Sequence, residues 1–67
     1  MRSNLIVLGQ TIRRIRKLRG ATLCDVASRA GISAALLSKI ENFRTVPSLP
    51  VLVKIARVLN VSLSHLV

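Results

Sequence analysis

The sequence predicts an all-α fold of five short helices, with a tight turn between the second and the third. Apolar residues recur every three or four positions, which is the spacing of one face of a helix. Hydroxyl side chains that can cap helix starts precede four of the runs, at Thr22, Ser33, Ser48 and Ser62. Residues that tolerate a left-handed backbone follow three of the runs, at Gly20, Gly31 and Asn60.

The first predicted helix spans residues 9–19 and is amphipathic. Its apolar side consists of Leu8, just before the helix, and Ile12, Ile15 and Leu18. Arginine and lysine residues crowd the other sides. Gly20 ends this helix, and we expect residues 1–7 to form a loose arm.

Residues 23–42 carry the pattern of two helices that cross at a tight turn. Thr22 and Asp25 predict a capping box at the start of the second helix. Gly31 ends that helix, because glycine readily adopts the left-handed backbone that reverses the chain. Ser33 caps the third helix, which reaches about Asn42. Ala27 stands one turn before Gly31, where a larger side chain would hold the two helices apart. The residues predicted to face the shared core are Val26, Ala30, Leu37 and Ile40, and those left on the outer face of the third helix are Ala34, Ala35, Ser38 and Lys39.

The fourth and fifth helices follow a predicted loop at residues 45–47. Ser48 caps the fourth helix, and Pro50 is tolerated within its first turn. The predicted buried stripe of this helix consists of Leu49, Leu52, Val53, Ala56 and Leu59. Asn60 takes the left-handed turn, and the short last helix docks through Leu63 and Leu66.

The charge of the chain narrows the class of partner. Eleven lysine and arginine residues stand against two acidic residues, Asp25 and Glu41, and the net charge is +9. Such an imbalance makes the charges of the chain repel one another unless a polyanion offsets them. The expected partner is therefore a nucleic acid or an anionic membrane. The 67 residues predict a single domain, residues 1–67, that buries only about 60% of its unfolded surface. Such a small core leaves little room for a catalytic cleft.

No group of residues in the sequence predicts catalysis or metal binding. The serines lack the histidine and acidic partners that a nucleophile needs, and His65 has no second ligand at metal-binding spacing. Cys24 is the single cysteine, which excludes an internal disulfide and fits a reducing compartment. The apolar run at residues 5–8 is too short for a signal peptide or a membrane span. We therefore expect a cytoplasmic protein that is not an enzyme and needs no cofactor, metal, small-molecule ligand or membrane.

Four consecutive segments resemble the Cro-like, or XRE, family of phage-repressor-like helix-turn-helix proteins. These segments are LGQTIRRIRKLRG, TLCDVASRAGIS, ALLSKIEN and VPSLPVLVKIARVLNVSLSHL, and together they cover nearly the whole chain. The resemblance implies a lambda-repressor-like domain that acts in transcription regulation, as a repressor in the family's best-known form. It also implies sequence-specific binding to double-stranded DNA, usually as a homodimer on a palindromic operator.

The third helix is the expected reading element of such a DNA-binding domain. An α-helix fits the major groove with its N-terminal residues closest to the base edges. Lys39 can donate to guanine O6 and N7, and Ala34 and Ala35 offer methyl contact to thymine or are plain helix filler. We expect DNA shape to supply the rest of the specificity. The residues expected to read bases are Ser33, Ala34, Ala35, Ser38 and Lys39.

Phosphate contacts are expected at the start of the second helix and after the third. Backbone amides at a helix start form an anion site without any particular side chain. The expected contacts are Thr22, Leu23, Asn42, Arg44 and Thr45. The chain departs from the family at Leu23, where glutamine is frequent, and at Phe43, where glycine is frequent. We expect Phe43, the single aromatic residue, to pack under the loop in the core, and the alternative is that it stacks on a base.

Glu41 stands near the end of the third helix, where the helix dipole disfavours a carboxylate. In the family the matching acidic residue pairs with an arginine of the first helix. The resemblance therefore implies a structural ion pair between Arg16 and Glu41. The alternative is a solvated glutamate among many cations.

Two function classes remain open at this point. The first is a DNA-binding regulator, whether a phage-type repressor, a restriction-modification controller, an antitoxin or the DNA-binding part of a longer sensor-bearing regulator. No pattern in the sequence indicates its operator, its effector or whether it represses or activates. Candidates for its dimer surface are Leu63, Leu66 and Val67. The second is a basic amphipathic module that binds a protein or a membrane surface, which the first helix alone suggests. The second class leaves the capped turn and the later helices unexplained.

Overall fold

Five helices form in the predicted order. The computed structural model describes residues 4–66, and the side chains of residues 6–66. The helices are α1 (Asn4–Leu18), α2 (Leu23–Ala30), α3 (Ala34–Glu41), α4 (Leu49–Leu59) and α5 (Leu63–Leu66). No strand occurs in this part of the chain, so the prediction of an all-α fold is confirmed.

The helices surround one small hydrophobic core. The main contacts between helices form a ring in which α1 packs on α3, α3 on α2, α2 on α4, α4 on α5, and α5 on α1. The buried apolar side chains are Leu8, Ile12, Val26, Ala27, Ala30, Leu37, Ile40, Leu52, Ile55, Ala56, Leu59 and Leu66. Because α3 is held by α1 and α2, its remaining side is left open.

Side-chain caps begin the three middle helices as predicted. The Thr22 hydroxyl accepts a hydrogen bond from the Asp25 amide at 3.0 Å, and the Asp25 carboxylate accepts one from the Thr22 amide at 3.1 Å. Ser33 and Ser48 cap α3 and α4 by accepting from the third residue after them, at 3.0 and 3.4 Å. Each cap satisfies an amide that the helix itself leaves without a partner.

A common backbone pattern ends α1, α2, α3 and α4. After α2, the Ile32 amide donates to the Ala27 carbonyl at 2.9 Å and the Gly31 amide to the Ser28 carbonyl at 3.2 Å. Equivalent pairs of bonds close the other three helices, and a residue with positive φ stands at each turn, namely Gly20, Gly31, Phe43 and Asn60. This Schellman arrangement satisfies the last carbonyls of each helix. The turns at the two glycines and the asparagine were predicted, and the one at Phe43 was not.

Helix α1 is longer than the sequence predicted. It begins at Asn4 rather than at residue 9, so residues 4–7 are helical where we expected an arm, and residues 1–3 lie outside the described part. The predicted start fell on Gly9, a residue type that disfavours helix interiors. Gly9 is instead a buried interior residue of α1, at a point where the helix passes close to the end of α3.

Two predicted core positions are wrong. Leu18 is 79% exposed, because it stands six residues after the buried Ile12 and so about 120° around the helix from it. Leu49 is 62% exposed, because it is the first residue of α4 and lies before the turn that packs on the core. Val53 is half-buried, and Ile55, which we did not predict, is fully buried.

The short α5 uses its apolar residues for the core. Leu66 is 1% exposed and therefore cannot serve as the dimer surface that we expected of it. Leu63 is half-buried, and Val67 lies outside the described residues. His65 is exposed, as expected, and its Nδ1 is hydrogen-bonded to the Ser62 hydroxyl at 2.9 Å.

Candidate nucleic-acid interface

The outer face of α3 forms a shallow, open depression. Its lining consists of Ala35, Ser38, Lys39, Asn42 and Arg44. The opposite face of the helix is fixed by Leu37 and Ile40, which are fully buried. The structure therefore brings together three of the residues expected to read bases and two of those expected to contact phosphate.

The other two expected base-reading residues stand at the start of α3. Ser33 is exposed, and its hydroxyl oxygen accepts the cap bond from Leu36, which leaves the hydroxyl hydrogen able to donate. Ala34 is half-buried because it packs against the core, whereas Ala35 is exposed. Of the two alanines, Ala35 offers more of its methyl group to a ligand.

The start of α2 presents backbone amides beside a carboxylate. The Thr22 amide donates to Asp25 and is therefore occupied, which leaves the amides of Leu23 and Cys24 at the helix start. The Leu23 side chain is half-buried against the core. The hydrogen bond from the Thr22 amide lowers the pKa of the Asp25 carboxyl below its usual value, with smaller contributions from the Thr22 hydroxyl and from Arg29. The capping box is thus held in its ionised form.

The loop after α3 places Asn42, Arg44 and Thr45 next to one another. Arg44 is exposed and Thr45 half-buried. The Asn42 side-chain amide donates back into the helix, to the Ser38 carbonyl at 2.8 Å and to the Ser38 hydroxyl at 3.3 Å. Of these three residues, Arg44 has the side chain with the most freedom to reach a ligand.

Phe43 lies at the surface of the domain rather than in the core. Its φ is +61°, and its side chain is 38% exposed. The ring lies over Gly9 of α1, so closely that a Cβ added at Gly9 would come within 2.9 Å of the Phe43 ring carbon Cδ1. The expectation of core packing is therefore wrong, because the left-handed turn directs the ring over the flank of α1.

Arg16 and Glu41 are brought together between α1 and the end of α3. Arg16 Nε and Nη2 donate to the two carboxylate oxygens of Glu41 at 2.7 and 3.0 Å, and Arg16 Nη1 donates to the Ala21 carbonyl at 2.9 Å. The two side chains are 10% and 4% exposed. The hydrogen bonds that Arg16 donates to Glu41 raise the pKa of Arg16 above its usual value. This geometry is the forked pairing that only a guanidinium provides.

Gly9 is the residue near the site that sequence reasoning missed. An added Cβ there would come within 2.7 Å of the Ile40 carbonyl oxygen and 2.8 Å of the Glu41 carbonyl oxygen. The close approach of α1 to the end of α3 therefore requires glycine. The signal available in the sequence was a glycine inside a helical pattern, which indicates close packing as readily as a helix start.

The exposed surface carries cations on all the helices from α1 to α4. Of the two acidic residues, Glu41 is buried against Arg16 and Asp25 is engaged in the capping box. The exposed cationic residues of the described part are Arg13, Arg14, Lys17, Arg19, Arg29, Lys39, Arg44, Lys54 and Arg57. In residues 4–66 no cluster of potential metal ligands occurs, and none of the helices has the length and apolar character to cross a bilayer.

Comparison with known proteins identifies the family. The profile of the helix-turn-helix family HTH_3 matches residues 12–66. The chain belongs to this family. The Cro-like resemblance inferred from the sequence is thereby confirmed.

Two proteins of Bacillus subtilis are similar in sequence. The HTH-type transcriptional regulator SinR is 41% identical over 61 residues, which cover 90% of this chain and 55% of SinR. The chain thus spans about half the length of SinR. The uncharacterized HTH-type transcriptional regulator YazB is 38% identical over 60 residues, which cover 90% of this chain and 87% of YazB.

Solved structures share the fold. The structure of SinR, a master regulator for biofilm formation, in complex with DNA has a TM-score of 0.82 and 42% identity over 88% of this chain and 95% of that one. The restriction-modification controller protein C.AhdI from Aeromonas hydrophila has a TM-score of 0.91 and 24% identity over 94% of this chain and 96% of that one. At that identity C.AhdI supports the fold alone.

Proposed function

We propose that this chain is a sequence-specific, double-stranded-DNA-binding domain of a transcriptional regulator, with α3 in the major groove. The observation that carries the proposal is the open, donor-bearing depression on the outer face of α3, which the other described residues leave uncovered. The relative SinR has been solved with DNA bound, which supports the same class of ligand here. The proposal is for a non-enzymatic protein that acts in the cytoplasm.

In the proposed complex, the exposed side chains of α3 read bases. Lys39 donates to guanine O6 and N7, and the Ala35 methyl group contacts a thymine methyl group. Ser33 and Ala34 lie at the helix start, which comes closest to the base edges. This small set of direct contacts leaves part of the specificity to the shape of the duplex.

Phosphates are held on either side of the groove. The free amides of Leu23 and Cys24 at the start of α2 receive one phosphate, with the positive end of the helix dipole behind them. Arg44 and Thr45 receive another on the far side of α3. These contacts set the position of α3 in the groove and carry no sequence information themselves.

We further propose that two copies bind a palindromic operator. One domain of this size makes few base contacts, and two half-sites about one helical turn apart multiply them. Two large apolar side chains, Val46 and Leu49, are mostly exposed near the start of α4. They are the candidates that the structure offers in place of Leu66 for a self-association surface.

Titration of a labelled duplex at several salt concentrations tests the proposal. If a dimer contacts about eight phosphates, the logarithm of the association constant falls with the logarithm of the salt concentration with a slope of about −7. A slope near zero refutes backbone contact. Vesicles of anionic lipid serve as the competing polyanion, since α1 carries the exposed Leu18 among cations. Tighter binding to vesicles than to duplex supports the membrane-surface function instead.

Two substitutions in the depression separate base reading from phosphate contact. Lys39→Ala weakens a selected operator more than random DNA, whereas Arg44→Ala weakens both alike. Lys54→Ala is the matched control, because it removes the same charge from α4 outside the depression. Equal losses for Lys39→Ala and Arg44→Ala on both duplexes refute the assignment of roles.

A further inference from the structure

Ser38 and Asn42 form a hydrogen-bonded pair inside the depression on α3. Asn42 Nδ2 lies 2.8 Å from the Ser38 carbonyl oxygen and 3.3 Å from Ser38 Oγ. The two residues are four apart and so face the same side of the helix. Both line the open depression together with Ala35, Lys39 and Arg44.

The pair limits the directions open to the Ser38 hydroxyl hydrogen. A serine hydroxyl has one donor hydrogen and two acceptor lone pairs. Because Asn42 donates to the oxygen, one lone pair is turned towards Asn42 and the hydrogen is turned away from it. Among the described residues, none accepts a hydrogen bond from the Ser38 hydroxyl at the open side of α3. At the open side of α3 the hydroxyl therefore presents its hydrogen beside one remaining lone pair, and only a base with an acceptor pairs with that hydrogen.

The same bonds commit the Asn42 side chain. Its Nδ2 donates to both the carbonyl and the hydroxyl of Ser38. The side-chain amide is thus engaged within α3 rather than directed towards a phosphate oxygen. This engagement favours a different role for Asn42 from the phosphate contact expected of it.

We propose that Ser38 is a specificity-determining residue that requires a hydrogen-bond acceptor on the base it faces, and that Asn42 is its positioning residue. The proposal rests on the DNA-binding function proposed above. In the major groove, guanine presents O6 and N7 and thymine presents O4 as acceptors, whereas cytosine presents the N4 amino donor. Adenine presents N7 as an acceptor beside its N6 donor, so the base opposite Ser38 is guanine, thymine or adenine, whereas cytosine has no acceptor there and leaves the Ser38 hydrogen unpaired.

Asn42→Asp tests the direction of the hydroxyl. An ionised aspartate only accepts hydrogen bonds, so it gives up the contact with the Ser38 carbonyl and accepts from the Ser38 hydroxyl, which turns the hydrogen inward and leaves the lone pairs outward. This variant is expected to prefer cytosine at the position where the wild type disfavours it. The added negative charge lowers the affinity for all duplexes alike. Base preference is compared between duplexes bound by the same variant, so this general loss does not affect it.

The experiment is selection from a random duplex pool with the wild type, Ser38→Ala, Asn42→Ala and Asn42→Asp. At one position of the half-site, the wild type disfavours cytosine by about fivefold, the size expected of one hydrogen bond. Ser38→Ala abolishes this preference, Asn42→Ala reduces it and Asn42→Asp reverses it, while preferences at the other positions persist. Ser28→Ala on α2 is the matched control and retains the wild-type profile. Thermal melting of each variant establishes that it is folded.

The outcomes separate this inference from the function on which it rests. A wild type that selects a half-site while Ser38→Ala keeps its full profile overturns the role of Ser38. An Asn42→Asp variant that still disfavours cytosine overturns the role of Asn42. A wild type that selects no sequence and binds duplex without salt dependence refutes the proposed function, and the inference with it.

Discussion

The two ends of α3 are built in different ways. Its start is made of residues suited to their positions, since Gly31 takes the left-handed turn with φ +72° and Ser33 caps the helix. Its end repeats the same backbone pattern with Phe43 at φ +61°, a conformation that costs a non-glycine residue about 1 kcal/mol. The end is held instead by α1, through the Arg16–Glu41 pair and the close approach at Gly9.

This difference shows that the position of α3 depends on two kinds of information. Local sequence specifies where the helix begins, whereas contacts with a helix some 25 residues away specify how it ends. Substitutions that break the distant contacts should therefore cost more than those that affect the local turn. The following predictions test that order.

The largest loss is expected from Glu41→Gln. The variant keeps the shape of the side chain but leaves the Arg16 guanidinium buried without its counter-charge. We expect the free energy of unfolding to fall by about 3 kcal/mol, measured by urea denaturation. Replacing both partners, with Arg16→Met and Glu41→Leu together, should cost less than Glu41→Gln because no charge is stranded. An unchanged midpoint for Glu41→Gln would mean that the glutamate is solvated.

Gly9→Ala is expected to have the next largest effect. The new Cβ meets two backbone carbonyl oxygens of α3 at less than 3 Å, and overpacking of this kind costs up to about 3 kcal/mol. The better helix propensity of alanine returns about 1 kcal/mol, so a net loss of about 2 kcal/mol remains. Gln10→Ala, at the exposed neighbouring position, is the control and should be neutral in the same denaturation experiment. A stabilised Gly9→Ala variant would show that the end of α3 moves freely.

Gly31→Ala should cost about 1 kcal/mol. Nothing lies within 4 Å of its added Cβ, so the loss comes from the left-handed backbone alone. Gly20→Ala has the same geometry and should lose the same amount, which makes it the matched control. Phe43→Gly should change stability by less than either, because relief of the backbone is offset by loss of the ring contact with Gly9. Thermal melts of the three variants compare these costs directly.

The smallest effect is the pH dependence of the capping box at α2. Because the folded state lowers the pKa of Asp25, its ionised form stabilises the fold above the pKa of the unfolded chain, about 4. This stabilisation is lost as the pH falls through the lower, folded-state pKa. The difference in stability between the wild type and Asp25→Asn should therefore be constant near neutral pH and should disappear in acid. A difference in stability that grows as the pH falls would contradict this prediction.

Most of the fold could be predicted because its signals are local. Thr22, Ser33 and Ser48 mark helix starts by their side-chain chemistry, and Gly31 and Asn60 mark helix ends by their backbone tolerance. Such signals act within four residues and can be found in a single sequence. The same reasoning defined the outer face of α3 before the structure was known.

The errors arise where packing between distant segments decides the outcome. Gly9 has a local propensity against helices, but the approach of α3 determines its role. Periodicity assigned Leu18 and Leu49 to buried stripes because it does not report where a helix ends relative to the core. The Ser38–Asn42 pair follows helical spacing, but which of the two donates depends on side-chain conformations that spacing does not specify.

Arg16 joins two parts of the molecule that are far apart in the chain. Its guanidinium holds the carbonyl of Ala21, immediately before the start of α2, and the carboxylate of Glu41, immediately before the loop that follows α3. The segments proposed to contact phosphates, at the start of α2 and after α3, thus both adjoin residues that are hydrogen-bonded to one planar guanidinium with fixed bond directions. In the proposed complex, the width of groove between these two contacts is therefore set by Arg16, whose side chain is 10% exposed and lies outside the depression on α3.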